Sequence, residues 1–176
     1  KAEVSRELGG FRCLTKDYEL IPSPAGFHWL VYRTPMLNFS SAKAHNTLEV
    51  EFHYQGVVFP ASFQRVYEAL TDSKQFSNMT SSPADIGREA GSSFSCFGGM
   101  ITGRHVELLP NQRIVQAWRV GNWDAGVYSI VRFELKAQGT ETLLIFEHTG
   151  FPVEHFEHLA SGSQKMYWDN LQKYLA

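Results

Sequence analysis

Turn formers recur throughout residues 84–149, and no other feature constrains the fold as strongly. Six extended candidates, 84–89, 92–97, 100–109, 113–120, 126–135 and 141–149, are separated by Gly91, Gly98-Gly99, Pro110-Asn111, the stretch 121–125 and Gln138-Gly139. Connections this short join antiparallel neighbours, because a parallel pair needs a crossover of a dozen or more residues. The segment therefore predicts an antiparallel meander. Alternation then sorts its faces: Gln116, Trp118 and Val120 share one, as do Val127, Ser129, Val131, Phe133 and Leu135, and Leu144, Phe146 and His148.

The flanks complete an order of elements. From Thr47, Leu48, Val50, Phe52 and Tyr54 alternate with Glu49, Glu51 and His53, which predicts a strand with His53 on its wet face. Gly56 is read as a bulge or bend before Val57, Val58 and Phe59. Pro60 ends the strand and Ser62 caps a helix that buries Phe63, Val66, Tyr67 and Leu70, followed by a short second helix over 73–79. Pro152 closes the last strand. Phe156, Leu159, Ser163, Met166, Tyr167, Asn170, Leu171 and Tyr174 then trace the inner face of a long final helix, with a weak point near Ser161-Gly162. Strand, two helices, a run of strands and one long helix make an α+β domain whose curved antiparallel sheet wraps the last helix.

Residues 1–46 differ. Gly9-Gly10, Pro22, Pro24, Gly26 and Pro35 interrupt any helix, and the clearest extended run, 26–33, is apolar on both faces. The expected organisation is an extended segment, 1–46, packed on a domain formed by 47–176.

Composition narrows the function classes. The 176 residues carry a net charge of -2 and are 43% hydrophobic and 14% aromatic, enough for one core or an internal cavity. No basic block suggests nucleic acid, and no apolar run reaches the roughly 20 residues of a membrane helix. The two cysteines, Cys13 and Cys96, suit buried thiols better than a zinc site or disulfide framework. The chain starts at Lys1, which is expected of a processed or trimmed product: soluble, cytoplasmic or exported after loss of a signal peptide.

Several stretches then resemble one family. VYEALTD (66–72), GRHVELLPNQRIVQAWR (103–119), FEL (133–135), GTETLLIFEHTGF (139–151) and YWDNLQKYL (167–175) are similar, in order, to the activator of heat-shock-protein-ninety ATPase homologue-like family of the START-like (SRPBCC) superfamily. The resemblance implies a helix-grip fold, whose members include binders, carriers and a few enzymes. The chain departs where members often carry a Trp after the first helix pair (here 75–79) and a Gly-Trp in the last helix (here Gly162-Ser163). Nothing in residues 1–46 resembles the extra chaperone-binding domain of the eukaryotic cochaperones.

In such a fold a ligand would sit between the sheet and the last helix. Trp118, Phe133, Phe146, His148 and Tyr167 are the candidate lining, and the same residues fit a filled core. The leading expectation is a cavity binding a small apolar or amphipathic ligand without catalysis. The alternatives are a homodimerising or partner-docking module, and then a cyclase- or hydratase-like enzyme drawing on His148, Glu134, Glu107 or Asp124. Trp123 and Tyr128 flank the 121–126 loop, where they could gate the cavity or form a subunit contact. His148, His155 and His158 lack ligand spacing, so no metal and no cofactor are expected. Deleting residues 1–45 should lower the thermal midpoint and expose dye-binding apolar surface, or split a dimer. An unchanged midpoint, dye response and oligomeric state would make the segment a passive tail.

Overall fold

Alternating apolar residues set the sheet, and the turns cut it close to where their spacing predicts. The computed structural model describes residues 52–176 and, ahead of them, four strand segments: β1 (Arg6–Leu8), β2 (Phe11–Cys13), β3 (Tyr18–Pro22) and β4 (His28–Tyr32). Strand β5 (Phe52–Phe59) is followed by helices α1 (Phe63–Thr71) and α2 (Ser73–Thr80). Six strands come next: β6 (Asp85–Ile86), β7 (Ser93–Cys96), β8 (Ile101–Leu109), β9 (Arg113–Val120), β10 (Ser129–Gln138) and β11 (Glu141–Thr149). A 3-10 turn (Val153–His155) leads into the final helix, built from α3 (Phe156–Gly162), a π-helical stretch (Ser163–Trp168) and α4 (Asp169–Leu175).

Strands β5 to β11 form one curved antiparallel sheet in the order β5-β11-β10-β9-β8-β7-β6, with the final helix against it. This is the α+β arrangement that the order of elements predicts and the helix-grip fold that the family resemblance implies. Beyond β5 the backbone of β4 pairs Trp29 with Gln55 and Tyr32 with Phe52, and β3 pairs with β4. The residues at 47–51 lie outside the described part, and so do the side chains of residues 1–52, Cys13 included.

Local chemistry explains the boundaries. Ser62 Oγ accepts from the Arg65 amide at 3.4 Å and starts α1. Asp72 ends α1 and caps α2, its Oδ1 accepting from the Gln75 amide at 2.9 Å, while its other oxygen pairs with Arg88. A bulge separates His105 from Glu107 in β8. At Gly103 in the same strand, a Cβ would run into the Ala117 carbonyl and stand 2.6 Å from the Phe94 ring, so only glycine lets that ring cover the strand.

Three expectations need correction. Gly56 makes no bulge; β5 passes through it in unbroken register with β11. In α1 the buried stripe is Val66, Ala69 and Leu70, whereas Phe63 is exposed and Tyr67 half-buried. The expected strand over 84–89 shrinks to two residues.

The final helix carries the most informative difference. The predicted irregularity at Ser161-Gly162 is regular helix; the π-helical stretch follows at Ser163–Trp168. An extra residue inserted into a turn rotates everything after it by about 100°. Tyr167 and Leu171 are buried as expected, but Asn170 and Tyr174 are only half-buried, and Trp168 and Leu175 take their places on the inner face. Trp168 is 1% exposed, and its indole N–H donates to Gln55 Oε1 at 2.6 Å. Replacing it with Ala should destabilise the fold by about 3–5 kcal/mol in chemical denaturation. Trp168→Phe, which keeps a ring but strands the Gln55 oxygen, should cost about 1–3 kcal/mol. A loss within the surface range of about 0.5 kcal/mol for the Ala variant would mean that Trp168 is not a keystone of the core.

Candidate functional site

Strands β5, β9, β10 and β11 present one continuous inner face beneath the final helix, and the expected lining residues meet there. Trp118, Phe133, Phe146, His148 and Tyr167 are all buried. The Trp118 and His148 rings lie edge to face at 4.9 Å, Phe133 and Phe146 are 5.3 Å apart, and Tyr167 reaches Phe133 at 6.4 Å. Trp168 joins them 5.2 Å from Phe146. Spacings of this kind are those of favourable aromatic pairs in direct contact.

Polar groups sit inside this layer. His148 Nε2 lies 2.7 Å from Ser129 Oγ, and that hydroxyl donates to the Trp118 carbonyl at 3.2 Å. Directly opposite His148 on the neighbouring strand stands His53, 2% exposed and edge-on to Phe146 and Phe156. Among the described residues, neither ring nitrogen of His53 has a hydrogen-bond partner. Buried polar groups are normally satisfied, so this imidazole, like the equally buried and bare His105, has room for a further partner, whether an ordered water or a guest.

Burial sets the protonation of the pair. It holds His53 down to about 4, and it holds His148 down to about 3 with help from the neighbouring His53. Tyr167 is pushed well above its usual range, first by burial and then by Cys96, with the Trp118 indole acting in the opposite sense. Cys96 is itself pushed up to about 12 by burial, so its thiol stays protonated and unreactive at neutral pH. Near pH 7 the inner layer is therefore uncharged at all four groups.

His53 and Gln55 were placed wrongly by the sequence pattern, which put the even-numbered residues of this strand inward. The structure turns His53, Gln55, Val57 and Phe59 into the core and leaves Tyr54 and Val58 half-buried on the other face. Counting back by twos from Phe59, whose burial the Pro60 break and the following helix imply, would have found them. Trp123 is buried between Trp118 and His155, at 6.1 and 6.0 Å, while Tyr128 points outward, 54% exposed. The three candidate histidines are dispersed: His148 lies inside, His155 stacks on Trp123 and His158 is exposed. Among the described residues no group of three or more His, Cys, Asp or Glu side chains gathers as a metal site would require. Of the carboxylates considered for acid–base work, Glu107 bonds Arg113 at 2.7 Å, which lowers it, and Asp124 is exposed.

A concavity of about 520 Å³ lies on the outside, between α1, α2 and the β8–β9 turn, and includes Tyr67, Thr71, Asp72, Gln75, Arg88 and Pro110. It is polar, and the Asp72–Arg88 ion pair already satisfies its principal charges. Among the described residues no helix is long and apolar enough to cross a membrane.

Comparison with known proteins agrees with the fold. Residues 60–176 match the family described as Activator of Hsp90 ATPase homolog 1-like protein. The chain is 30% identical over 115 residues to an activator of 90 kDa heat shock protein ATPase homolog from Dictyostelium discoideum, covering 65% of this chain and 30% of that protein. To activator homolog 1 from Homo sapiens it is 25% identical over 115 residues, covering 65% and 34%. It thus spans about a third of the length of the curated relatives it matches. Among solved structures, an HSP90 activator from Plasmodium falciparum superposes with a TM-score of 0.66 at 22% identity, covering 70% of this chain and 95% of that one. The Aha1 dimer from Colwellia psychrerythraea gives 0.62 at 16%, covering 70% and 95%. At these identities the superpositions establish the fold.

The neutral histidine pair makes stability depend on acidity. An unfolded His takes up a proton near 6.5, whereas the folded His53 and His148 refuse it until about 4 and 3. In that window the unfolded chain binds more protons, so stability is lost as pH falls, by up to about 1.4 kcal/mol per pH unit for each ring. Between pH 7 and 5 the pair should account for a loss of about 4 kcal/mol, and His53→Leu should remove about half of it. Parallel stability–pH curves for the two proteins, measured by denaturant titration, would contradict the placement of His53.

Proposed function

The chain belongs to the Activator of Hsp90 ATPase homolog 1-like family, and on that premise we propose that it binds a small amphipathic ligand between its curved sheet and its final helix. One observation carries this proposal: a cross-strand His53–His148 pair, buried among Trp118, Phe146, Phe151 and Phe156, with the ring nitrogens of His53 unpartnered among the described residues. Small-molecule sites commonly combine such an apolar wall with a few polar groups that fix orientation. Entry would come at the start of the final helix, where Phe156 and His155 are only half-buried and Trp123 folds over Trp118 from the adjoining loop. The π-helical turn supports the same location, since such turns are frequent at functional sites and this one directs both Tyr167 and Trp168 inward.

A second function, docking to another protein or to a second copy, rests on a different face. Tyr128 and Ile130, 54% and 44% exposed, put apolar surface on the outer side of β10. A superposing structure is described as an Aha1 dimer, and the curated relatives are named as activators of a heat-shock ATPase. Outer-face docking and inner-face binding are compatible, because they use opposite sides of the sheet.

Native mass spectrometry of freshly purified protein separates the two. A retained small mass, reduced in Trp118→Ala, is expected of the ligand binder; a doubled protein mass, abolished by Ile130→Asp, is expected of the docking module. Protein that is free of ligand as purified and gives no signal with an environment-sensitive apolar dye would sink the ligand proposal.

A further inference from the structure

The outer face of the sheet holds an arginine whose donors are only partly used. Arg104 on β8 is exposed, and its Nη1 donates to the Gly91 carbonyl at 2.9 Å. That bond positions the guanidinium without neutralising it, and it leaves the Nε and Nη2 hydrogens without a partner among the described residues. Glu89, on the same loop as Gly91, makes no ion pair with it. Arg113 on the neighbouring strand shows what this edge of a guanidinium takes: its Nε and Nη2 donate to the two carboxylate oxygens of Glu107 at 2.7 and 3.1 Å. Arg104 presents the same fork with no carboxylate in it.

The sheet register sets apolar surface beside the open fork. Arg104 stands opposite Ala117, and Ala117 opposite Ile130, so the three form one row across β8, β9 and β10. Val106 at the bulge and Tyr128 ahead of β10 flank this row and are 56% and 54% exposed. Neighbouring strands lie about 4.8 Å apart, which puts Arg104 roughly 10 Å from Ile130, a span of about three extended residues. Arginine and tyrosine are also among the residues that interface centres favour.

Three kinds of occupant meet this patch differently. In a two-fold contact with a second copy, the same face would have to supply the missing carboxylate to itself. The acids beside the row are already engaged: Glu107 with Arg113, Glu147 with Arg132, and Glu134 with Lys136 at 3.6 Å. A nucleic acid or an anionic membrane presents an extended negative field, which a chain of net charge -2 meets unfavourably and a single open guanidinium does not match. A short protein segment with one carboxylate about three residues from an apolar side chain fits both halves of the patch.

Building on the docking reading, we propose that the outer face of β8, β9 and β10 binds an acidic, apolar segment of another protein. One carboxylate closes the fork of Arg104, and a neighbouring apolar side chain lies over Ala117 against Ile130 and Tyr128. The closing experiment titrates isotope-labelled protein at low salt with three blocked heptapeptides. They share two leucines and one phenylalanine and differ only in carrying glutamate, glutamine or lysine at two positions. The glutamate peptide should bind at least about fivefold more tightly than either of the others and weaken as salt is added. Its amide shifts should fall on residues 104–106, 115–119 and 128–132. In Arg104→Gln, an exposed position where folding should be unaffected, that preference should shrink below about twofold. Lys173→Gln, the same change of charge on the exposed side of α4, should leave it intact. Equal binding of the three peptides, or a preference that survives in Arg104→Gln, would overturn the carboxylate assignment while leaving docking by this face intact. Concentration-dependent dimerisation, or phosphatidylserine vesicles, moving the same resonances would replace the acidic segment with a second copy or a membrane. No shift on this face with any peptide would overturn the docking reading as well, without touching the inner face.

Discussion

The contact between Trp168 and the inner face of the sheet holds the rest of the structure in place. Its indole N–H ends on Gln55 in β5, and its ring abuts Phe133 in β10 and Phe146 in β11, so one side chain registers the final helix against three strands. A nonpolar residue of equal size could fill the space but could not select an orientation, because apolar packing is non-directional. The hydrogen bond adds that selection. Gln55 in turn needs the bond, since a buried amide oxygen without a donor is costly.

Much of this was legible in the residues. Turn formers between 84 and 149, together with period-two alternation, give the antiparallel meander and the inward faces of β9, β10 and β11, and with them Trp118, Phe133, Phe146 and His148. Two features escaped for identifiable reasons. In β5 the apolar side chains Phe52 and Tyr54 lie on the opposite parity from His53 and Gln55, so a rule that sends the apolar set inward chose the wrong face. In the final helix the π-helical turn changes the phase of the period without changing the composition, and the shift from Asn170 and Tyr174 to Trp168 and Leu175 follows from that one inserted residue.

Both failures fall in the same place. His53 and Gln55 line the layer that Tyr167 and Trp168 close from above. Local pattern and final structure usually disagree where something other than stability has shaped the sequence. A leucine at position 53 would satisfy the apolar pattern and remove a bare imidazole from the core, and a regular helix would be easier to form than one with a wide turn. The chain carries the less stable choice twice on facing elements, and that coincidence is what motivates the proposed site.

The chemistry available at that site follows from its lack of charge. With His53 and His148 held below their usual range and Tyr167 and Cys96 above theirs, no group in the layer can exchange a proton readily near neutral pH. General acid–base catalysis works best with a pKa close to the working pH. The same neutrality favours recognition, since a neutral imidazole can donate from one nitrogen and accept at the other without the desolvation that a buried charge demands. The burial that lowers both histidines thus works against acid–base chemistry in this layer near neutral pH and is compatible with the proposed recognition of a neutral guest.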